Sequence, residues 1–219
     1  MAQSQRKSAK VSPAEYLERE RKAKFKSELV DGVIIPLHRG TKTLADGTIV
    51  AMAGATKEHI TVNVNLTGEL YAQLKGSSCR VYDSDMRTRI PNTSAYRYPD
   101  LSVACDAQFE NDVLDVLINP VVLVEIASPS TMAIDRSRKW NQYRTLPSLQ
   151  DYVLISPTRV EVEQRHRADD GEHWWIRVLE SLEDELVLDS INCRVRLADI
   201  YAGIELESDE PETDEVIMG

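Results

Sequence analysis

Residues 120–131 read PVVLVEIASPST, an almost unbroken apolar run closed by a Ser-Pro pair. Eight residues rich in valine and isoleucine, bounded by Pro120 and Ser128-Pro129, are too few for a buried helix and suit a central strand covered on both faces. Period-two alternation puts Leu123, Glu125 and Ala127 on one face and Val124 and Ile126 on the other. Glu125 is the anomaly. A carboxylate inside such a strand is costly unless it is paired, hydrogen-bonded or bound to a metal. Its partner is either an arginine or helix N-terminus at the strand end, or a site.

Working outward from that strand, Ser130 or Thr131 opens a helix over about 130–145 that stops before Pro147, and 151–156 is a second buried strand. Upstream, strands are expected at about 80–89 and 98–105. Segment 56–74 is ambiguous: Val62, Val64 and Leu66 alternate like a strand, whereas Ile60, Val64, Tyr71 and Leu74 fit a helical face. Its length without a proline predicts a helix despite Gly68. Ser12-Pro13-Ala14-Glu15 has an N-cap serine, proline at the first helical position and Glu three after the cap, predicting a helix over 13–24. Asp31-Gly32 and Asp46-Gly47 punctuate a hairpin or meander over 28–52. Residues 159–167, whose apolar and polar positions alternate strictly, form a hairpin with 173–179 through Asp169-Asp170-Gly171. Short strands follow near 185–188 and 193–197. The pattern is one α/β (α+β) domain over 12–206, between a disordered basic arm at 1–11 and a disordered acidic tail at 207–219.

The composition of the 219 residues, 42% apolar and 28% charged, allows a sizeable core. No apolar run reaches the roughly 18 residues of a spanning helix, and the basic start MAQSQRKSAK has no apolar stretch behind it, so neither membrane insertion nor a secretory signal is expected. Cys79, Cys105 and Cys193 are few and far apart, so a disulfide scaffold and a zinc ribbon are both unexpected, and a reducing cytoplasm is the anticipated compartment. The net charge of −10 is uneven: residues 1–26 carry eight Lys/Arg against three Glu, residues 180–219 thirteen acids against two Arg, and the middle sixteen bases against twenty acids. Any nucleic-acid contact must then be local. No GxGxxG, P-loop or GxSxG occurs, so no organic cofactor is expected. The four histidines lack zinc-site spacing; His59, on the long helix, is the one of interest. Of Trp174-Trp175, one belongs in a core and the other on a surface or interface.

Asp100, after Tyr98-Pro99, opens a strand 25 residues before Glu125. Such a residue is usually a turn former, but if the strands are neighbours the two carboxylates converge, and two carboxylates are enough for Mg²⁺, which keeps several waters. Asp135, Lys139 and Tyr143 share one face of the following helix at i, i+4, i+8. Glu28, ahead of the Asp31-Gly32 turn, would ordinarily be exposed.

Taken together, Glu28-Leu29-Val30-Asp31-Gly32, Tyr98-Pro99-Asp100, Val124 to Thr131, then Asp135, Lys139 and Tyr143, and Asp151 to Ile155, in that order, resemble the Uma-type restriction endonuclease family, a branch of the PD-(D/E)XK nuclease superfamily, over about residues 12–206. The resemblance implies a restriction-endonuclease-like mixed sheet flanked by helices, with extra hairpins. It implies Asp100 and Glu125 as metal carboxylates with the Ile126 carbonyl, and Glu28 as a further acidic member. Ala127 stands where the superfamily places its lysine, which makes Lys139 the substitute, supported by Asp135 and Tyr143. Mg²⁺, with Mn²⁺ as a stand-in, is the implied cofactor, DNA the substrate and a homodimer the working assembly. The alternative is an inactive nuclease fold retained for DNA binding or interaction, favoured by the acidic balance and Ala127.

Overall fold

A computed structural model describes residues 10–37, 41–43, 49–51, 55–91, 93–110, 113, 115–127 and 135–206, and for 41–43, 49–51 and 135 the backbone alone. Helix α1 (Pro13–Glu20) is capped by Ser12, whose hydroxyl accepts from the Glu15 N–H, with Pro13 in the first turn. It ends earlier than expected. Glu20 turns inward to accept from the Ser27 N–H and hydroxyl and from the Tyr98 hydroxyl, and i→i+3 bonds at Lys22 and Ala23 close the last turn. Strands β1 (Ser27–Val30) and β2 (Val33–Pro36) form a hairpin. Asp31 and Gly32 take positive φ of 52° and 81° there, the conformation a two-residue primed turn requires. Gly32 O also accepts from Val11 N at 2.8 Å, which ties the last residue of the expected arm to the hairpin. Strands β3 (Thr41–Thr43) and β4 (Ile49–Ala51) pair; the Asp46-Gly47 turn lies outside the described residues, as does the expected tail.

Helix α2 (Lys57–Leu74) follows. It is a helix as predicted, but with a different inner face: Val62, Leu66, Leu70 and Leu74 are buried while Ile60, Val64 and Tyr71 are exposed. Both readings keep helical spacing, and the all-aliphatic i+4 row is the one that meets the sheet. The strand expected over 80–89 is two strands. β5 (Cys79–Asp83) and β6 (Arg87–Ile90) are separated by a turn in which Asp83 accepts from Asp85 N and Met86 N, and they enter different sheets. The strand expected over 98–105 is β8 (Leu101–Cys105), which starts only after Pro99, and the short β7 (Ala95–Arg97) before it was not expected. β9 (Val116–Leu117), unforeseen, pairs parallel with β6.

β10 (Val122–Ile126) is the strand read from the opening stretch. Residues 128–134 are not described, so the start of the next helix lies outside the description. A π-helical turn, Asp135–Lys139, runs into α3 (Trp140–Tyr143), which ends before Pro147. β11 (Asp151–Ile155) then pairs parallel with β10 in register Glu125↔Leu154. β12 (Val162–Arg167) and β13 (Trp174–Leu179) make the expected hairpin. β12 starts later than expected, and Val162 to Arg165 are all buried rather than alternating, because β12 is an inner strand with both faces covered. β14 (Glu185–Leu188) and β15 (Cys193–Arg196) pair, and α4 (Leu197–Ile200) ends the described fold.

Besides the two-stranded pairs β3-β4 and β14-β15, two main sheets result, ordered β13-β12-β11-β10-β8-β5 and β2-β1-β7-β6-β9. One face of the larger sheet, with Val122, Val124, Ile126, Val153 and Ile155, packs on α2 and on Leu186, Leu188, Val195 and Leu197. The other face brings Leu123 and Tyr152 against Tyr143, Leu146 and Leu149. Cys79 and Cys105 lie opposite each other on β5 and β8 and form a disulfide, while Cys193 is free and buried. This is one cross-strand bridge rather than a disulfide scaffold, and the spacing of 26 residues did not announce it, because spacing says nothing of register. No described helix is long and apolar enough to cross a membrane. The inner face of α2 gives a direct test. Leu66→Ala should lower unfolding free energy by about 2–5 kcal/mol, and Val64→Ala by under ~1 kcal/mol, the usual range for exposed positions, in urea melts.

Candidate active site

Pro99 is where the chain leaves one sheet for the other. β7 before it pairs with β1 and β6, and β8 after it pairs with β10 and β5. Proline has no N–H to extend a ladder, so the crossover frees Asp100 to meet the C-terminal end of β10. Asp100 Oδ2 accepts from the Ile126 N–H at 2.9 Å, and the β8–β10 register, Val124↔Leu101, puts Glu125 next to it. On its other side, Asp100 Oδ1 lies 3.3 Å from His59 Nε2, and Asn63 of α2 donates to its carbonyl at 3.4 Å. Burial works to raise the Asp100 pKa, but the His59 hydrogen bond and charge, the Ile126 N–H and the charge of Lys139 outweigh it and hold the carboxyl below its ordinary value.

Glu125 is 2% exposed and lies on the face that alternation assigned to it. Its oxygens are divided between two donors from the helix above: Lys139 Nζ at 2.8 Å and the Tyr143 hydroxyl at 2.7 Å. Burial first, then the charges of Glu125 and Glu28, push the Tyr143 phenol far up, so it stays a protonated donor. Ala127 is buried against Leu154; a lysine there would have its stem in an apolar contact, and the ammonium reaches Glu125 from Lys139 instead. Asp135 lies in the same π-helical turn as Lys139, and its side chain lies outside the description.

Glu28 is buried rather than exposed. From β1 it accepts the Tyr98 N–H at 3.2 Å and pairs with Arg97, whose guanidinium also donates to Gln142 of α3 at 2.7 and 2.9 Å. Burial opposes the charge on Arg97, yet Glu28, with Tyr143 and Glu125 nearby, holds its pKa above the usual value. Sequence reasoning missed Arg97 and Gln142. Glu28 was read as exposed, and an exposed carboxylate calls for no buried cation. His59, flagged as the histidine of interest, is brought in; Trp174 packs on Trp140 and Trp175 is exposed.

The structure thus gathers Asp100, Glu125, Ile126, Lys139, Tyr143 and Glu28 around the end of β10. Among the described residues no group of three or more His, Cys, Asp or Glu could by itself hold a metal ion, so an all-protein cage for Zn²⁺ or Ca²⁺ does not fit. Two carboxylates and a backbone carbonyl do fit a hard cation that keeps its waters.

A family model described as "Putative restriction endonuclease", Uma2, matches residues 38–198. The chain belongs to the Uma2 family. Two uncharacterized proteins of Synechocystis are similar: one is 35% identical over 195 residues, covering 89% of this chain and 93% of its own. The other is 32% identical over 167 residues, covering 76% and 85%. A crystal structure of a "putative nuclease belonging to DUF820" from Anabaena variabilis aligns over 87% of this Uma2 chain and 97% of its own with a TM-score of 0.61 at 15% identity, which establishes the shared fold.

The Glu28–Arg97 pair gives a stability test. Arg97→Met leaves Glu28 buried without its cation and should cost about 3–5 kcal/mol, as breaking a buried pair does. Arg97→Met with Glu28→Gln should recover much of that loss. Denaturant melts of the two variants and of wild type measure it; a double variant no better than the single would mean that Arg97 acts mainly through Gln142.

Proposed function

We propose that this Uma2 protein is a Mg²⁺-dependent endonuclease that hydrolyses phosphodiester bonds in DNA. The observation that carries the reading is the meeting of Asp100, Glu125 and the Lys139 ammonium, from two neighbouring strands and a helix, at one strand end. Family membership agrees with it.

Asp100, Glu125 and the Ile126 carbonyl would hold the ion. Bound there, Mg²⁺ supplies Lewis-acid polarisation of a phosphate and acidification of a water. Lys139, held by Glu125, would hydrogen-bond the nucleophilic water or the charged phosphate oxygens. Tyr143 keeps Glu125 in its rotamer, and His59 does the same for Asp100. Glu28 acts at one remove, by fixing Arg97 and, through Gln142, the helix that carries Lys139. The cations for a polyanion are local, as the overall charge requires: Arg136 bonds Glu161 and Glu163, Arg159 bonds Glu161, and Arg165 bonds Glu163, so three arginines share two carboxylates beside this helix, and Arg138 of the same helix is exposed. Cleavage of both strands of a duplex would use two copies, so a homodimer working in the cytoplasm completes the proposal.

Lys139→Met tests it, because it removes the charge and keeps the length of the side chain. Cleavage should fall on the order of 10²- to 10³-fold, the cost of one lost transition-state donor, with Mn²⁺ affinity by calorimetry nearly unchanged. Asp100→Ala should lose Mn²⁺ binding. Wild-type protein that binds DNA but cuts none across duplex, single-stranded and branched substrates with Mg²⁺ and Mn²⁺ would move the reading to a non-catalytic binding module.

A further inference from the structure

The larger sheet ends on β13, and among the described residues nothing pairs with its outer edge. Of the devices by which proteins protect such an edge it has only one charged side chain, Arg177: it has no proline, is six residues long and is paired without interruption on its inner side. It is also apolar. Trp175 is 70% exposed, Ile176 62% and Val178 49%, a concentration that an edge strand of a monomer would ordinarily avoid.

We infer that β13 is the contact edge of a homodimer, pairing antiparallel with β13 of a second copy about a two-fold axis at Ile176. A two-fold axis that joins two sheets edge to edge stands perpendicular to them, so each face stays on its own side and residues of like parity oppose each other. Three centres then lie within the strand's middle. Centring on Arg177 stacks two guanidinium groups on one another. Centring on Trp175 puts Arg177 opposite His173, beyond the strand. Centring on Ile176 sets Trp175 of each copy opposite Arg177 of the other, a cross-strand cation–π pair made twice, and sets Trp174 opposite Val178 on the other face. Arg177 is the only charged residue in β13, and this register is the one that gives it a complementary partner. The inner side already uses the same pairing, since Arg167 of β12 lies 4.5 Å from the Trp174 ring. Such a contact is independent of catalytic activity.

Light scattering and sedimentation of the full chain, over a wide concentration range, read the assembly directly against the 24.7 kDa chain mass. Wild type is expected to be a dimer. Ile176→Asp brings two carboxylates together on the axis and should raise the dissociation constant about tenfold or more. Val64→Asp, on the exposed face of α2, should leave it unchanged. Ile176→Cys lies on the axis and should cross-link to a disulfide dimer on mild oxidation, while Val178→Cys should not; circular dichroism of each variant checks folding. A wild type that stays monomeric at every concentration overturns the inference. So does a dimer indifferent to Ile176→Asp or broken by Val64→Asp, and so does preferential cross-linking through Val178→Cys.

Discussion

The bond from the Ile126 N–H to Asp100 Oδ2 is a small contact on which the site depends. It closes the seam where the chain passes from one sheet to the other. The ladder does not continue through the crossover at Pro99, and a carboxylate takes the place of the strand carbonyl that would otherwise accept the Ile126 N–H. The same substitution occurs one step back, where Glu28 accepts the Tyr98 N–H. Both acids therefore have a backbone role that fixes their position, and both are brought to the end of β10 by that role. A site built on strand ends in this way is more rigid than one built on loops.

Burying three carboxylates together is possible only because each has its own cation or donors. Asp100 has His59, Glu125 has Lys139 and Tyr143, and Glu28 has Arg97. The elements that supply these partners are different: α2, the π-helical turn with α3, and β7. Loss of any one would leave a buried charge uncompensated, so the three elements are held around the strand end by charge as well as by the apolar contacts beneath them. The departure at Ala127 makes sense in the same terms. That position faces Leu154 in an apolar contact, where an ammonium would be costly to bury.

The parts of this site that were legible in the sequence are those whose signals are local. Glu125 stood out because one carboxylate in a run of valines violates a composition rule within a single strand, and its face came from period-two alternation. The i, i+4 spacing of Lys139 and Tyr143 likewise survives into the structure, both side chains ending on one carboxylate. The inner face of α2 was misread because Ile60, Val64 and Tyr71 are as apolar as Val62, Leu66 and Leu70, and only the sheet decides between two rows of equal hydrophobicity. The division at 84–86 and the crossover at Pro99 were missed as changes of sheet, since a turn signal does not say which partner the next strand will take. Arg97 and the Cys79–Cys105 bridge were invisible for the same reason: both are facts of register between distant strands.

The π-helical turn explains how a helix can serve two different walls at once. An extra residue in one turn rotates the residues before it by about 100° relative to those after it. Arg136, early in that turn, bonds Glu161 and Glu163 beside and on β12, two strands away from Glu125. Lys139 at its end and Tyr143 one α-turn later both face Glu125. In a regular α-helix Arg136 and Lys139, three apart, would be neighbours on one face and would present two cations to the same carboxylate. The wider turn separates them, sending one cation to the flank where arginines share carboxylates and keeping the other for the strand end. The helix thereby gives the site its lysine, held by Glu125, in a position that the strand itself could not furnish at Ala127.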